Sequence, residues 1–259
     1  MAGRLAFWSL NGLVLLFLVA PLIVVAGTSF NNSALLAFPP SNPSLRWYQA
    51  IPANPEFSDG LRLSVQLAVV TTLVSSLVGT PAALALVRHP FPGREVLNAV
   101  ALSPLVLPTV VLGIGFLLFF TRLGLAASFP GLVLAHTVLT VPYVIRTVAA
   151  SLSGLDPLLE EAARNLGAGP LRAFWRVTLP LAAPGLLAGA IFAFVISFDE
   201  LVVTLFVAGP RLTTLPIRIF TYVQFSNDPL IAAISTVLIV MSFLAVVSLD
   251  RLIGLSRFV

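Results

Sequence analysis

The stretch EEAARNLGAGPLRAFWRVTLP, residues 160–180, is the least membrane-like part of this chain. Five charges fall between Glu160 and Arg176, and long apolar runs flank them on both sides. Asp156 is placed to cap a helix with Pro157 at its first position and Glu160 and Glu161 in its first turns, where the helix dipole favours acids. Leu155, Leu159, Ala162 and Leu166 follow one face at helical spacing. Gly167 then stops that helix as a residue in the left-handed conformation. Pro170 starts a second short helix with Leu171, Phe174 and Trp175 apolar and with Arg172 and Arg176 four apart, and Pro180 opens the next apolar run. The spacing predicts two short amphipathic helices joined at a glycine. Each has two to three turns, so the first is about 15 Å long. Such helices, with one apolar face, suit the groove of a soluble partner; the plainer alternative is a loop resting on lipid headgroups.

The rest of the chain sets the context. Its 259 residues are 58% hydrophobic and only 9% charged, against about 25% charged in a soluble domain. Several apolar runs reach the roughly 20 residues needed to cross a bilayer. The chain therefore reads as one all-α integral membrane domain. The net charge of +4 comes entirely from Arg, since there is no Lys among the 14 basic residues. Without Lys there is no phosphate-binding P-loop and no Schiff-base lysine. With no Cys there is neither a disulfide nor a thiolate metal site. The Arg residues lie beside apolar segments, where they set topology, so the basic balance does not indicate nucleic acid.

Six spans are expected: residues 7–27, 61–87, 96–120, 130–149, 180–208 and 229–249. The first is taken as an uncleaved helix, because no A-x-A cleavage site follows it. Residues 28–58 form a polar loop with an aromatic pair at Trp47–Tyr48, and RHPFPGRE, residues 88–95, is a turn. The third span holds Pro104, Pro108, Gly113 and Gly115, breaks that need neighbouring groups to satisfy the freed backbone. A loop fills 209–228, and Asp228–Pro229 reads as a cap and first position of the sixth span. With the N-terminus in the cytoplasm, Arg4, Arg88, Arg94, Arg146, Arg164, Arg172, Arg176, Arg251 and Arg257 lie inside. Arg46, Arg62, Arg122, Arg211 and Arg218 lie outside. Nine against five places both termini and the polar insert in the cytoplasm.

Glu161-Ala162-Ala163, three residues, Gly167, nine residues, then Val177-x-Leu179-Pro180 resembles the EAA loop of ABC-importer permeases, with Val in place of the family's Ile. The resemblance covers residues 60–250 as a permease core, within a single permease domain 1–259 whose coupling loop is 150–179. It implies the type I ABC-importer permease fold, in a bacterial inner membrane. It also implies that the insert is a coupling helix seated on an ATP-hydrolysing subunit, with Glu161 paired to a basic residue there and Gly167 making the turn. ATP and Mg would be bound by that partner and no cofactor by this chain. The implied partners are two ATPase copies, a second, similar permease subunit and an external solute-binding protein. SFDELVVTLFVAGPRLTTLPIRIF (197–220) and PYVIRTV (142–148) look most like polyamine-type permeases, with permeases for 4-aminobutyrate or aminoalkylphosphonates sharing similar text.

Asp199 and Glu200 are the acids well inside an apolar run, in the outer part of the fifth expected span. A charge there is costly and ordinarily faces a bundle interior or an aqueous path. One reading has one of them lining the path of a cationic solute; the other has it paired with an Arg or holding helices together. About 100° separates the two on a helix, so one of them at most faces a path. His136 in the fourth span is a candidate pathway group, or a bond between helices. His89 sits at a span end. Phe198, with Phe192, Phe194 and Phe206, offers aromatic faces to an ammonium. No catalytic constellation or metal-ligand spacing is present, which disfavours an intramembrane hydrolase. An ion-coupled secondary transporter is the remaining alternative, and the EAA-like loop argues against it.

Overall fold

The computed structural model describes residues 2–156, 158–226 and 228–253; Pro157, expected to open the first insert helix, and Arg257, counted on the inside, lie outside them. In chain order the helices are α1 (Ala2–Ser29), α2 (Arg46–Ala50), α3 (Pro55–Arg88), α4 (Arg94–Leu102), α5 (Thr109–Leu123), α6 (Phe129–Ser153), α7 (Leu158–Asn165), α8 (Pro170–Ala173), α9 (Leu179–Asp199), α10 (Val202–Val207), α11 (Leu215–Phe225) and α12 (Leu230–Ile253). Among the described residues there is no strand, only an isolated bridge between Asn31 and Pro43. Four helical runs are long and apolar enough to cross a membrane: Phe7–Ser29, Pro55–Arg88, Phe129–Ser153 and Pro170–Asp199. A fifth candidate is the pair formed by α4 with its 3-10 extension and α5, bent by 104°. The described apolar part of α12 is Leu230–Leu244.

The chain divides into two compact units, one of residues 1–58 with 218–259 and one of residues 59–217. In the first, α12 packs against α1 and α2. The loop expected over 28–58 is ordered by its aromatic pair. Trp47 is buried and its Nε1 donates to the Asn31 carbonyl at 2.8 Å, while the Tyr48 hydroxyl meets Ser29 Oγ at 2.6 Å. Arg46 lies 5.1 Å over the Trp47 ring. Asp228 caps α12, its Oδ1 accepting from Leu230 N at 3.0 Å, and its Oδ2 accepts from the Tyr222 hydroxyl at 2.7 Å. Burial and the Asp228 carboxylate push the Tyr222 phenol up to about 12, so it remains a donor at neutral pH.

In the second unit α6 is the central helix, and two apolar cores flank it. Against α9 the approach is close because two glycines present no side chain. A Cβ on Gly189 would stand 2.5 Å from Thr147 Oγ1, and one on Gly185 would stand 2.5 Å from the Thr147 carbonyl. Small residues allow this spacing where lipid tails supply no hydrophobic drive between helices. The Ser75 and Thr140 hydroxyls, 2.7 Å apart, join α3 to α6. Gly113 of α5 receives the Phe206 ring of α10, whose Cδ2 would lie 2.5 Å from an added Cβ.

Three expectations are corrected, while the breaks expected in the third span are present. A 3-10 turn at Ser103–Leu105 and an extended Pro108 split it, because Pro104 and Pro108 lack the N–H groups a continuous helix needs. The fifth span does not run to residue 208. It ends at Asp199, since Glu200 is extended (φ −68°, ψ 111°) and α10 begins anew at Val202. The loop expected over 209–228 contains α11, whose Leu215 and Ile217 are buried. Finally, Pro180 opens no separate helix. α8 passes through a π turn, Phe174–Thr178, directly into α9. In a regular helix the Pro180 ring would clash with the carbonyl four residues back; the wider turn before it relieves that clash.

Candidate functional site

The insert is built from local signals. Asp156 Oδ1 accepts from Leu158 N at 2.9 Å and caps α7. At the other end Gly167 takes φ +87°, Ala168 N reaches the Ala163 carbonyl at 3.0 Å and Gly167 N the Arg164 carbonyl at 2.9 Å. These two bonds form a Schellman stop, which a residue with a Cβ adopts only with strain. The apolar face of this insert is largely uncovered: Leu158, Leu159, Leu166, Leu171 and Trp175 are exposed, Leu166 by 90%.

The two neighbouring acids of α7 have different surroundings. Glu160 Oε1 pairs with Arg164 at 3.0 Å, and its Oε2 accepts from the Thr178 hydroxyl at 2.9 Å. Glu161 is exposed, and no salt bridge holds it among the described residues. A cavity of about 430 Å³ lies between α7, the π turn and the end of α3, lined by Glu160, Glu161, Arg88, His89 and Thr178 among others. Ala162, Ala163, Leu179 and Pro180, the remaining motif positions, fall on α7 and on the first residues of α9.

The second group of candidates gathers where α9 breaks. His136 is fully buried; its Nδ1 lies 2.9 Å from Ser197 Oγ on α9 and its Nε2 lies 3.0 Å from Thr204 Oγ1 on α10. Both ring nitrogens are thus occupied by hydroxyls on opposite sides of the break. Thr204 also donates to the Glu200 carbonyl at 2.7 Å. The Glu200 carboxylate accepts from Val203 N at 2.8 Å, at the positive end of α10. Asp199 is exposed and has no salt bridge among the described residues. Phe198 stacks on Phe194 at 6.0 Å and Phe192 on Tyr143 at 6.2 Å. The four candidates therefore share one neighbourhood but not one environment. Ser197 and Thr204, which hold His136, lie within the polyamine-type stretch 197–220, and Thr178 fills the variable position of Val177-x-Leu179-Pro180, but no local signal singles out any of the three. Among the described residues no group of three or more His, Cys, Asp or Glu could hold a metal.

An apolar helical chain with a polar insert between two long helices matches, over residues 75–256, the binding-protein-dependent transport system inner membrane component. The chain belongs to this family. As an inner membrane component of such a system, it resembles several permease proteins along most of its length. The spermidine/putrescine transport system permease protein PotC of Escherichia coli K12 is 30% identical over 96% of this chain and 94% of its own. The putrescine transport system permease protein PotI of the same strain is 35% identical over 86% and 82%. The molybdenum transport system permease protein ModB of Mycobacterium bovis is 40% identical over 77% and 81%. In fold the family member matches a bacterial ABC transporter involved in the import of the acidic polysaccharide alginate. The TM-score is 0.72 at 18% identity, covering 98% of this chain and 95% of the other.

Proposed function

We propose that this chain is the membrane-spanning permease subunit of an ATP-driven importer, and that it moves a polyamine or related amine delivered by an external binding protein. The observation that carries the reading is the insert. Two long apolar helices flank a capped helix whose apolar face is uncovered, and no salt bridge holds its Glu161 among the described residues. That combination suits a soluble ATPase, with Glu161 meeting a basic residue and Gly167 fixing the turn. Ala162, Ala163, Leu179 and Pro180 complete the surface. ATP and Mg belong to the ATPase, present in two copies, and a second, homologous permease completes the membrane part. In this reading six spans lie in the inner membrane, with α4 and α5 counted as one, and both termini in the cytoplasm.

The amine rests on two relatives named for spermidine or putrescine and on Asp199, an exposed acid at the end of an apolar helix with no salt bridge among the described residues. A carboxylate there attracts a cation and repels an anion. Phe198 and its stacked neighbour offer a face to an ammonium. His136, closed off by two hydroxyls, serves the path by fixing the α9 break rather than by touching solute. The reading is tested by purifying the assembled importer with Glu161→Ala or Gly167→Pro. Both variants should insert normally and lose ATPase subunit tenfold or more. Full ATPase recovery and full uptake in both would reject it. Labelled spermidine against an inorganic oxyanion, in the wild-type importer, decides the solute class.

A further inference from the structure

Five threonines inside the described helices share one pattern. The hydroxyls of Thr28, Thr121, Thr140, Thr147 and Thr236 each donate to the carbonyl four residues back on their own helix. Thr178 departs from it. Its hydroxyl, on a side chain only 3% exposed, crosses to Glu160 Oε2 eighteen residues earlier. Glu160 is fixed from its other oxygen by Arg164. The bond joins the first turn of α7 to the last residue of the turn that leads into α9.

We infer that Glu160 and Thr178 form the strut by which movement of α7 is passed to α9, a role separate from the docking assigned to Glu161. The inference rests on the reading of α7 as the element seated on the ATPase. Along the chain, α7 is joined to α9 through Gly167, Gly169 and the short α8, a route with two glycines whose backbone bends freely, and the strut ties the packing of α7 against the π turn with a directed bond. With it, α7, the π turn and the first turns of α9 move as one body. α9 carries Asp199 at its far end, so the same displacement reaches the break held by His136. Glu160 and Thr178 are positioning residues, touching neither solute nor nucleotide.

Thr178→Val keeps the shape of the side chain, removes the hydroxyl and leaves both the Glu160–Arg164 pair and Glu161 intact. In the assembled importer it should retain ATPase subunit within twofold of wild type while solute carried per ATP hydrolysed falls threefold or more. Thr178→Ser should restore the ratio, and Glu160→Ala should lower it as Thr178→Val does. A second readout needs no transport. In this cysteine-free chain, spin labels at Leu158→Cys and Leu181→Cys should give one narrow distance with and without ATP, and a broadened one after Thr178→Val. An unchanged transport ratio and an unchanged distance in Thr178→Val overturn the strut. Loss of ATPase subunit in Thr178→Val and Glu160→Ala alike overturns it too, because the contact then serves docking. If the wild-type chain retains no ATPase, the importer reading itself has failed and the strut with it.

Discussion

Replacing Asp199 with Asn removes one charge and keeps the side-chain size. The acid is exposed and has no salt bridge among the described residues, while its neighbour Glu200 is half-buried and accepts from Val203 N at 2.8 Å. The two should therefore respond differently. A carboxylate 4 Å from an ammonium is worth about 1 kcal/mol in bulk water and about 4 kcal/mol at an effective dielectric of 20. An exposed acid at a helix end sits between these limits, before the desolvation of both ions is subtracted. A net loss near 1.4 kcal/mol is about tenfold in rate, so Asp199→Asn should cut amine uptake about tenfold with assembly and basal ATP hydrolysis retained. Glu200→Gln loses mainly the interaction of its charge with the α10 dipole, about 0.3–1 kcal/mol. It should leave uptake within threefold and lower thermal stability slightly. The assay is initial uptake of labelled spermidine into vesicles holding the complete importer, with the ATPase recovered per permease measured on the same preparation. Normal uptake by Asp199→Asn, or a tenfold loss in Glu200→Gln alone, would refute the assignment of the free acid to the path.

Other outcomes follow from the same geometry. His136→Ala leaves a cavity and releases the hydroxyls of Ser197 and Thr204 from their buried partner, at a cost of about 2–4 kcal/mol; thermal unfolding in detergent should show a clear drop, and an unchanged transition would mean the clamp is idle. Gly189→Val drives a methyl into Thr147 Oγ1, so purified yield should fall severalfold, whereas Gly115→Ala, whose added Cβ meets nothing within 4 Å, should be neutral in the same measurement. A single Cys at Ser153 should react only with reagents that enter the cytoplasm, and one at Ser41 with impermeant reagents from outside. The opposite labelling pattern would reverse the topology.

Local signals were legible where one residue decides the backbone. Asp156, Gly167 and Asp228 cap or stop helices as their chemistry dictates, and Pro104 and Pro108 break the third span where expected. What the sequence hid depends on partners distant in the chain. The break after Asp199 sits in the run FDELVVTLFV, where apolar residues continue on both sides and no Gly or Pro marks a stop. It exists because Glu200 caps α10 and His136, more than sixty positions earlier, holds both sides through Ser197 and Thr204. Composition gave Asp199 and Glu200 the same description, and only their surroundings separate a cap from a free charge. α11 is hard to see in the sequence because LPIRIFTYVQF is short and directly continues a polar, proline-containing loop. Glu160 was read as a dipole-friendly acid; nothing local reveals that Thr178 would reach back to it.

The 104° bend between α4 and α5 also bears on how the chain enters the bilayer during synthesis. A newly made helix can slip sideways from the translocation channel into lipid when all its amide groups are internally bonded. Pro104 and Pro108 have no N–H to give, and although Val106 N and Leu107 N both reach the Ser103 carbonyl, the helix does not continue through Val106 and Leu107. The partner that packs beside this corner is α6, which is made later. In the order of synthesis, residues 94–123 gain the neighbour that covers their corner only after α6 has emerged.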